Sequence, residues 1–491
     1  MPGLAPEARL LLEAGVDAVY RYAGVLPQSA APAPLRAPAE SEEPCSSAMT
    51  EILRQILVGE ERDLLPLAVV EMQSVGLVLP PELLPTALAC AKDQRPLLRS
   101  LLGARGRWLA AQNPAWAWAV SNSGVERLPE SEALRIFGEG SLGERREVLL
   151  QVRRRDPASA RVWLADVWHR EKAEVRRSLL RVLEVGLGSD DEAFLQAALG
   201  DRSAALRRQA AGLLRRIDGA SYGHRMSLWA APCIRMKAPD IAAKLRATTE
   251  GQTAAGDLEV ALPELFEPAW AKDAMTEAAP GGVGRRAWWL SQLLAGTPLT
   301  TWTERLGADP AAIVRALRGN ALATPILDGW SVAAIDQRAH EWMPHLWDLW
   351  RRSGSKGVLL PQPQSALIAA MEPGDAENRI CDLLGDGTLI LELMEALPRP
   401  WPDRVADMYL GALEHWLDRL SNRRPQSGDP WAPSLRIAAV ALPSALLARA
   451  HSLRAPADVR SRWYSDRWRS AFTNFSEALS LRQRLAEEMR R

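Results

Sequence analysis

The strongest constraint on the fold is a self-similarity at 31 residues between Ser141 and Asp218. Val175-Arg176-Arg177 aligns with Leu206-Arg207-Arg208, and at the same offset Leu179 meets Ala210, Val182 meets Leu213 and Leu183 meets Leu214. Arg145 and Arg146 fall one period upstream, where Leu149 meets Leu180. Residues 206, 210, 213, 214 and 217 follow the i, i+4, i+7, i+8, i+11 pattern of a single apolar helix face. Glu192 to Leu199 reads as a preceding helix and Gly200-Asp201-Arg202-Ser203 as the turn between the two. A helical hairpin of this kind cannot hide its apolar side alone, so neighbouring copies must stack. The spacing predicts an all-α fold: a right-handed, HEAT-like α-solenoid of helical hairpins. The exception is a small irregular or hairpin insertion near 248–265, where Leu258 to Leu262 is the best strand candidate.

Breaks in the pattern suggest five segments: an N-terminal helix (1–25), a Pro/Ala-rich linker (26–47), the HEAT-like repeats (48–236), an irregular connecting region (237–284) and a C-terminal helical domain (285–491). The linker carries Pro27, Pro32, Pro34, Pro38 and Pro44 among Ala, Ser and Glu, too little apolar surface to offset its ordering entropy. Helix starts are marked by Asp156-Pro157 and Asp309-Pro310, each an N-cap acid followed by a proline in the first turn.

Composition narrows function more than it names it. The 60 basic and 60 acidic side chains of this 491-residue chain cancel, which removes the simplest argument for a nucleic-acid binder. No run approaches the roughly 18 consecutive apolar residues of a membrane span, and charged residues interrupt the N-terminus, so neither a membrane segment nor a secretory signal is expected. Cys45, Cys90, Cys233 and Cys381 are scattered without a CxxC pair, which makes a reducing cytoplasm the default compartment.

Motifs with chemical content are few. His340-Glu341-Trp342-Met343-Pro344-His345 places its histidines at i and i+5, about 140° apart on a helix, whereas a zinc helix needs i and i+4. Gly281-Gly282-Val283-Gly284 lacks the GxGxxG spacing, no GxxxxGK[ST] or GxSxG occurs, and Ser353-Gly354-Ser355-Lys356 has no KTG companion. No catalytic residue, metal site or cofactor site is assigned.

The arginine columns are more informative. Arg145, Arg176 and Arg207 recur one repeat apart, and Asp201 precedes Arg207 by six residues, a spacing suited to a ladder that ties neighbouring turns. The preceding repeat carries Arg170 where that acid is expected. The adjacent Arg146, Arg177 and Arg208 are expected to be solvated or to meet a protein partner. Nineteen tryptophans, mostly suited to the wide spaces between helical layers, include a run in which Trp342, Trp347 and Trp350 are candidate exposed anchors.

Several blocks also carry a resemblance. Gly106-Arg107-Trp108-Leu109-Ala110-Ala111-Gln112-Asn113-Pro114, Arg153-Arg154-Arg155-Asp156-Pro157, Gly186-Leu187-Gly188-Ser189-Asp190-Asp191-Glu192, Ala197 to Ser203 and His224-Arg225-Met226 are similar to blocks of an uncharacterised bacterial family with HEAT-like repeats. A weaker match continues through Arg286-Ala287-Trp288-Trp289-Leu290. Genes of that family lie beside a MoxR-type AAA ATPase, a von Willebrand A-domain protein and a SWIM zinc-finger protein. The resemblance therefore implies an adaptor or scaffold with a protein partner, the ATPase or the von Willebrand A protein, and supplies no catalytic residue. The rival expectation is a HEAT-like nucleic-acid protein such as a DNA glycosylase, which would need a positive groove holding a tryptophan and a carboxylate.

Overall fold

Apolar faces that recur every 31 residues have to be covered, and in the computed structural model of this chain they cover one another. The structure describes residues 5–23, 36–40, 45–59, 61–120, 129–237, 257–354, 356–420, 429–453 and 462–490. Helix dominates throughout, as an all-α fold requires. Two compact units are present, Met1–Ser121 and Asn122–Arg491. Most of the expected linker, and residues 238–256 of the expected connecting region, lie outside the described residues.

The first unit contains α1 (Pro6–Tyr22), α2 (Ser47–Val58), α3 (Leu65–Ser74), α4 (Leu84–Leu88), α5 (Arg95–Arg99), α6 (Gly103–Ala111) and α7 (Ala117–Val120). α1 buries none of its residues and is laced by Arg9–Glu13 and Arg21–Asp17 ion pairs one turn apart. α2 starts on Ser46, whose hydroxyl accepts from the Met49 amide, and buries Met49, Ile52, Leu53 and Ile56 on one face. Glu40, from the Pro/Ala-rich stretch, is seated on the first turn of α6, where its carboxylate accepts the Ala104 and Arg105 amides. Gly103 makes this possible: its φ is +60°, and a Cβ there would overlap the Glu40 carboxylate.

In the second unit the hairpins run as α8 (Glu130–Glu139), α9 (Leu142–Arg155), α10 (Pro157–Trp168), α11 (Ala173–Leu180), α12 (Glu192–Ala198), α13 (Ala204–Leu214) and α14 (Ser221–Ala230). α9, α11 and α13 begin at residues 142, 173 and 204, so the 31-residue spacing of the sequence is a spacing of helix starts. α9 packs on α11 and α11 on α13. The face expected from the pattern is inside: Leu206, Ala210, Leu213, Leu214 and Ile217 are all buried, as are Leu149 and Leu180. Asp156 caps α10 through the Ala158 and Ser159 amides, each 3.1 Å away.

β1 (Ile234–Lys237) pairs antiparallel with β2 (Asp257–Val260), Met236 opposite Leu258, in the one sheet among the described residues. Beyond it come α15 (Pro268–Lys272), α16 (Arg285–Gly296), α17 (Thr300–Leu306), α18 (Pro310–Arg315), α19 (Ala323–Gln337), α20 (Met343–Ser353), α21 (Pro363–Ala370), α22 (Pro373–Gly385), α23 (Leu391–Ala396), α24 (Asp403–Leu420), α25 (Trp431–Ala441), α26 (Leu447–Ser452) and α27 (Arg462–Met489). α16 and α19 approach so closely that a Cβ on Gly329 would lie 2.6 Å from the Ser291 carbonyl oxygen. Only glycine allows that crossing.

Tryptophan fills this half. Trp302, Trp330 and Trp342 form a buried chain of rings with centroids 6.0 and 5.5 Å apart. Every tryptophan whose side chain is described is buried or half-buried. The expectation that Trp342, Trp347 and Trp350 form an exposed anchor is therefore corrected: they are 1%, 1% and 0% exposed. Met343, Leu346, Trp347 and Trp350 share the i, i+3, i+4, i+7 face of α20 and turn it inward, where the Trp350 indole N–H donates to the Ser331 hydroxyl at 2.9 Å. Their periodicity, not their spacing from the intervening charges, decides their place.

Candidate functional site

The arginine column is the feature that the repeat builds most regularly. Arg145, Arg176 and Arg207 each occupy the fourth position of α9, α11 and α13. Arg145 reaches forward to Glu171 at 2.5 Å, and Arg176 forward to Asp201 at 3.1 Å, each joining one hairpin to the turn of the next. The acid anticipated at position 170 is present one residue later, at Glu171. Asp201 also accepts the Ser203 amide at 2.8 Å, so one carboxylate both shapes its own turn and takes the arginine of the hairpin before it.

An aromatic ring completes the first two rungs. Phe137 lies 5.5 Å from the Arg145 guanidinium and Trp168 5.7 Å from that of Arg176. Phe137 and Trp168 are themselves 31 residues apart, each eight before its arginine. Ring, planar cation and carboxylate suit arginine and would not suit lysine. The third rung differs. Leu199 replaces the ring, and Arg207 folds back to the Asp201 carbonyl oxygen at 2.8 Å and the Arg202 carbonyl oxygen at 3.3 Å. Arg145, Arg176 and Arg207 are thus consumed by structure.

The next residue along each helix has the opposite fate. Arg146, Arg177 and Arg208 are exposed, and among the described residues none makes an ion pair or a hydrogen bond through its side chain. Packed helices lie about 8–10 Å apart, so the three guanidiniums form a column whose steps are comparable to the Debye length in physiological salt. The ladder beneath holds the register of α9, α11 and α13, the helices that carry the three exposed arginines.

A buried knot that sequence reasoning missed underlies the same hairpins. Arg153 and Asp191 form a two-pronged ion pair, 2.9 and 2.6 Å, with side chains 0% and 1% exposed. The remaining donors of the guanidinium go to the carbonyl oxygens of Val185, Gly186 and Pro157. Asp191 also accepts the Gly188 amide, and Arg161 approaches it from the rim at 3.1 Å. The Arg153–Pro157 and Gly186–Glu192 blocks are therefore one structural unit. The signal available beforehand was only that both blocks are dense in charge.

Nothing assembles into an active site among the described residues. His340, in the turn before α20, faces Glu372 at 3.5 Å, and His345 lies in the first turn of α20 with its pKa lowered by burial. No cluster of His, Cys, Asp and Glu there could hold a metal ion. A cleft of about 370 Å³ opens beside α24, but its carboxylates are engaged: Arg449 bridges Asp407 and Glu414, and Arg351 holds Asp386 at 2.6 Å. Asp328, 1% exposed, accepts the amides of Val358, Leu359 and Leu360 at 2.8–3.1 Å and anchors the loop after α20. That loop contains Lys356, while Ser355 lies outside the described residues.

Among the described residues no helix is long and apolar enough to cross a membrane. No curated protein and no solved structure matches this chain. One family model does, over residues 2–489, and the chain belongs to that family of unknown function, DUF5691.

Proposed function

We propose that this chain is a non-enzymatic adaptor or scaffold, a HEAT-like α-solenoid that holds an acidic surface of a partner protein on the column Arg146, Arg177 and Arg208. The observation that carries this reading is the contrast within each Arg-Arg pair. The first arginine of every pair is spent on the fold, whereas the second is exposed and unpaired at the same place in three successive hairpins. A fixed array of this kind speeds encounter with an acidic partner and sets its register. The family resemblance supplies the candidate partners, a MoxR-type AAA ATPase or a von Willebrand A-domain protein, in a reducing cytoplasm. A nucleic-acid role, the glycosylase included, would want an exposed aromatic platform beside the arginines, and every described tryptophan is buried or half-buried.

The test is quantitative binding of the purified full chain to those two neighbour-encoded proteins, for wild type and for the triple variant R146E/R177E/R208E. Reversing exposed charges leaves the fold intact and is expected to weaken binding roughly a hundredfold, given that each juxtaposed like charge acts against association. A wild-type chain that binds neither protein, or a triple variant that binds as tightly as wild type, refutes the proposal. Salt-dependent binding to duplex DNA in place of protein would favour the rival.

A further inference from the structure

α18 and α20 face one another across a polar seam. Residues 311, 314, 315 and 318 come from α18 and the turn after it, residues 345, 348, 349 and 352 from α20, the same i, i+3, i+4, i+7 pattern on both sides. They line an open cleft of about 80 Å³. Three arginines, Arg315, Arg318 and Arg352, line it, with His345 half-buried between them. No acid among the described residues pairs with any of the three. The one carboxylate in the seam, Asp348, is 3.5 Å from a fourth arginine, Arg379.

Helices do not ordinarily align three cations along a shared face, because like charges at close range repel. The carbonyl ends of α18 and α20 favour Arg315 and Arg352, which offsets part of their mutual repulsion. They do nothing for Arg318, which follows α18. The crowding registers there: partial desolvation at the edge of the seam, together with neighbouring Arg352 and Arg315, pushes the exposed Arg318 guanidinium below its ordinary pKa, with Asp348 opposing. A neutral imidazole at His345 adds a hydrogen-bond donor without adding charge.

We infer that this seam binds one tetrahedral phosphate dianion, as free phosphate or as the phosphate of a small phosphomonoester, in the fork of Arg315, Arg318 and Arg352. The cleft has room for about two or three waters or one such oxyanion, at roughly 30 Å³ per water. Guanidinium forks match the oxygens of a tetrahedral anion, and three charge-assisted contacts are stronger than neutral ones. Asp348, held toward Arg379, sets one wall and disfavours larger anions. This site is independent of the Arg146/Arg177/Arg208 column, so either can fail alone.

The experiment is calorimetric titration of the full chain with inorganic phosphate and, in a second arm, with glycerol phosphate, at ionic strength fixed with sodium chloride. Wild type is expected to show one saturable site, and R315Q, R318Q and R352Q each to weaken it about tenfold or more, the worth of a charge-assisted hydrogen bond. R170Q, at an exposed arginine of the turn before α11, is expected to bind like wild type. The tighter of the two arms identifies the source of the phosphate. All three seam arginines are exposed, so the variants keep the fold, and circular dichroism verifies it; R318K, which keeps charge but loses the fork, is expected to fall between wild type and R318Q. Absence of saturable binding in both arms, or equal affinity in wild type and the three Gln variants, overturns the inference.

Discussion

The Arg153–Asp191 knot makes the sharpest stability prediction, because its two neighbouring aspartates provide an internal control. Asp191 is 1% exposed and answers two of the five donors of a guanidinium that is itself fully buried. Asp190, the preceding residue, is 81% exposed and only approaches Arg161 at 3.5 Å. Changing either residue to asparagine is the same chemical step. In D190N it removes a screened surface contact and is expected to cost about 0.5 kcal/mol or less. In D191N it leaves a buried cation unneutralised and turns an amide group toward its donors, with an expected loss of about 3–5 kcal/mol. Each kcal/mol is worth about 1.3 °C in a unit of this size, so D191N is expected to melt roughly 4–6 °C early. Differential scanning calorimetry gives the shift, and hydrogen exchange at residues 185–188 locates it, since Asp191 accepts the Gly188 amide and anchors the guanidinium that holds the Val185 and Gly186 carbonyl oxygens. R153K is expected to behave like D191N because an ammonium cannot reach five acceptors in a plane. The apolar pair R153M/D191L is expected to recover most of the loss, since it removes the buried charge along with its partner. Equal melting of D190N and D191N would refute this account of the knot.

Three further outcomes follow from the same geometry. R176A strands Asp201, whose side chain is 4% exposed, and is expected to cost about 3 kcal/mol, against about 0.5 kcal/mol or less for R146A; thermal unfolding of the two variants distinguishes rung from surface. W350A removes a fully buried ring packed beneath α19 and is expected to cost about 3–5 kcal/mol, with exchange protection lost in α19 and α20; a change no larger than that of a surface residue would mean the ring is not in the core. His345 titrates below its ordinary range because burial outweighs the pull of Asp348 and Asp309 and adds to the push of Arg379 and Arg315, with Arg318 and Arg352 also in the seam. The unfolded chain therefore takes up this proton first as pH falls, so stability is full above the unfolded pKa and declines as pH drops toward the folded one. H345Q is expected to flatten that decline in melting curves between pH 7 and about 5.

How much of this was legible in the sequence depended on whether the cause was local. The starts of α9, α11 and α13 were readable because a helix face repeats with its own period, and Asp156 and Asp309 were readable because a cap acts over three residues. The acid for Arg145 was one position away from its expected place, since a turn of four residues decides which side chain points back and periodicity says nothing about turns. That Trp347 and Trp350 are core was not legible beside Asp348, Arg351 and Arg352, which give the same helix a charged side; the face shared with Met343 and Leu346 is the one that packs. The knot and the α18–α20 seam were invisible: Arg153 and Asp191 are 38 residues apart, and no pattern within one helix announces which other helix it will meet. Asp328 is a similar case, a single acid in an apolar helix whose three amide partners lie 30 residues on.

The forward reach of the ladder has an architectural consequence. The middle 31-residue segment brings both Arg176 for the segment after it and Glu171 for the segment before it, so a duplicate of that segment would arrive with both halves of its joints already matched. Such a chain can lengthen or shorten by whole modules without redesigning a junction, as bricks with a tongue on one edge and a groove on the other can. Arg207, which closes on the carbonyl oxygens of its own turn, is the edge where that tiling stops and a different kind of masonry begins.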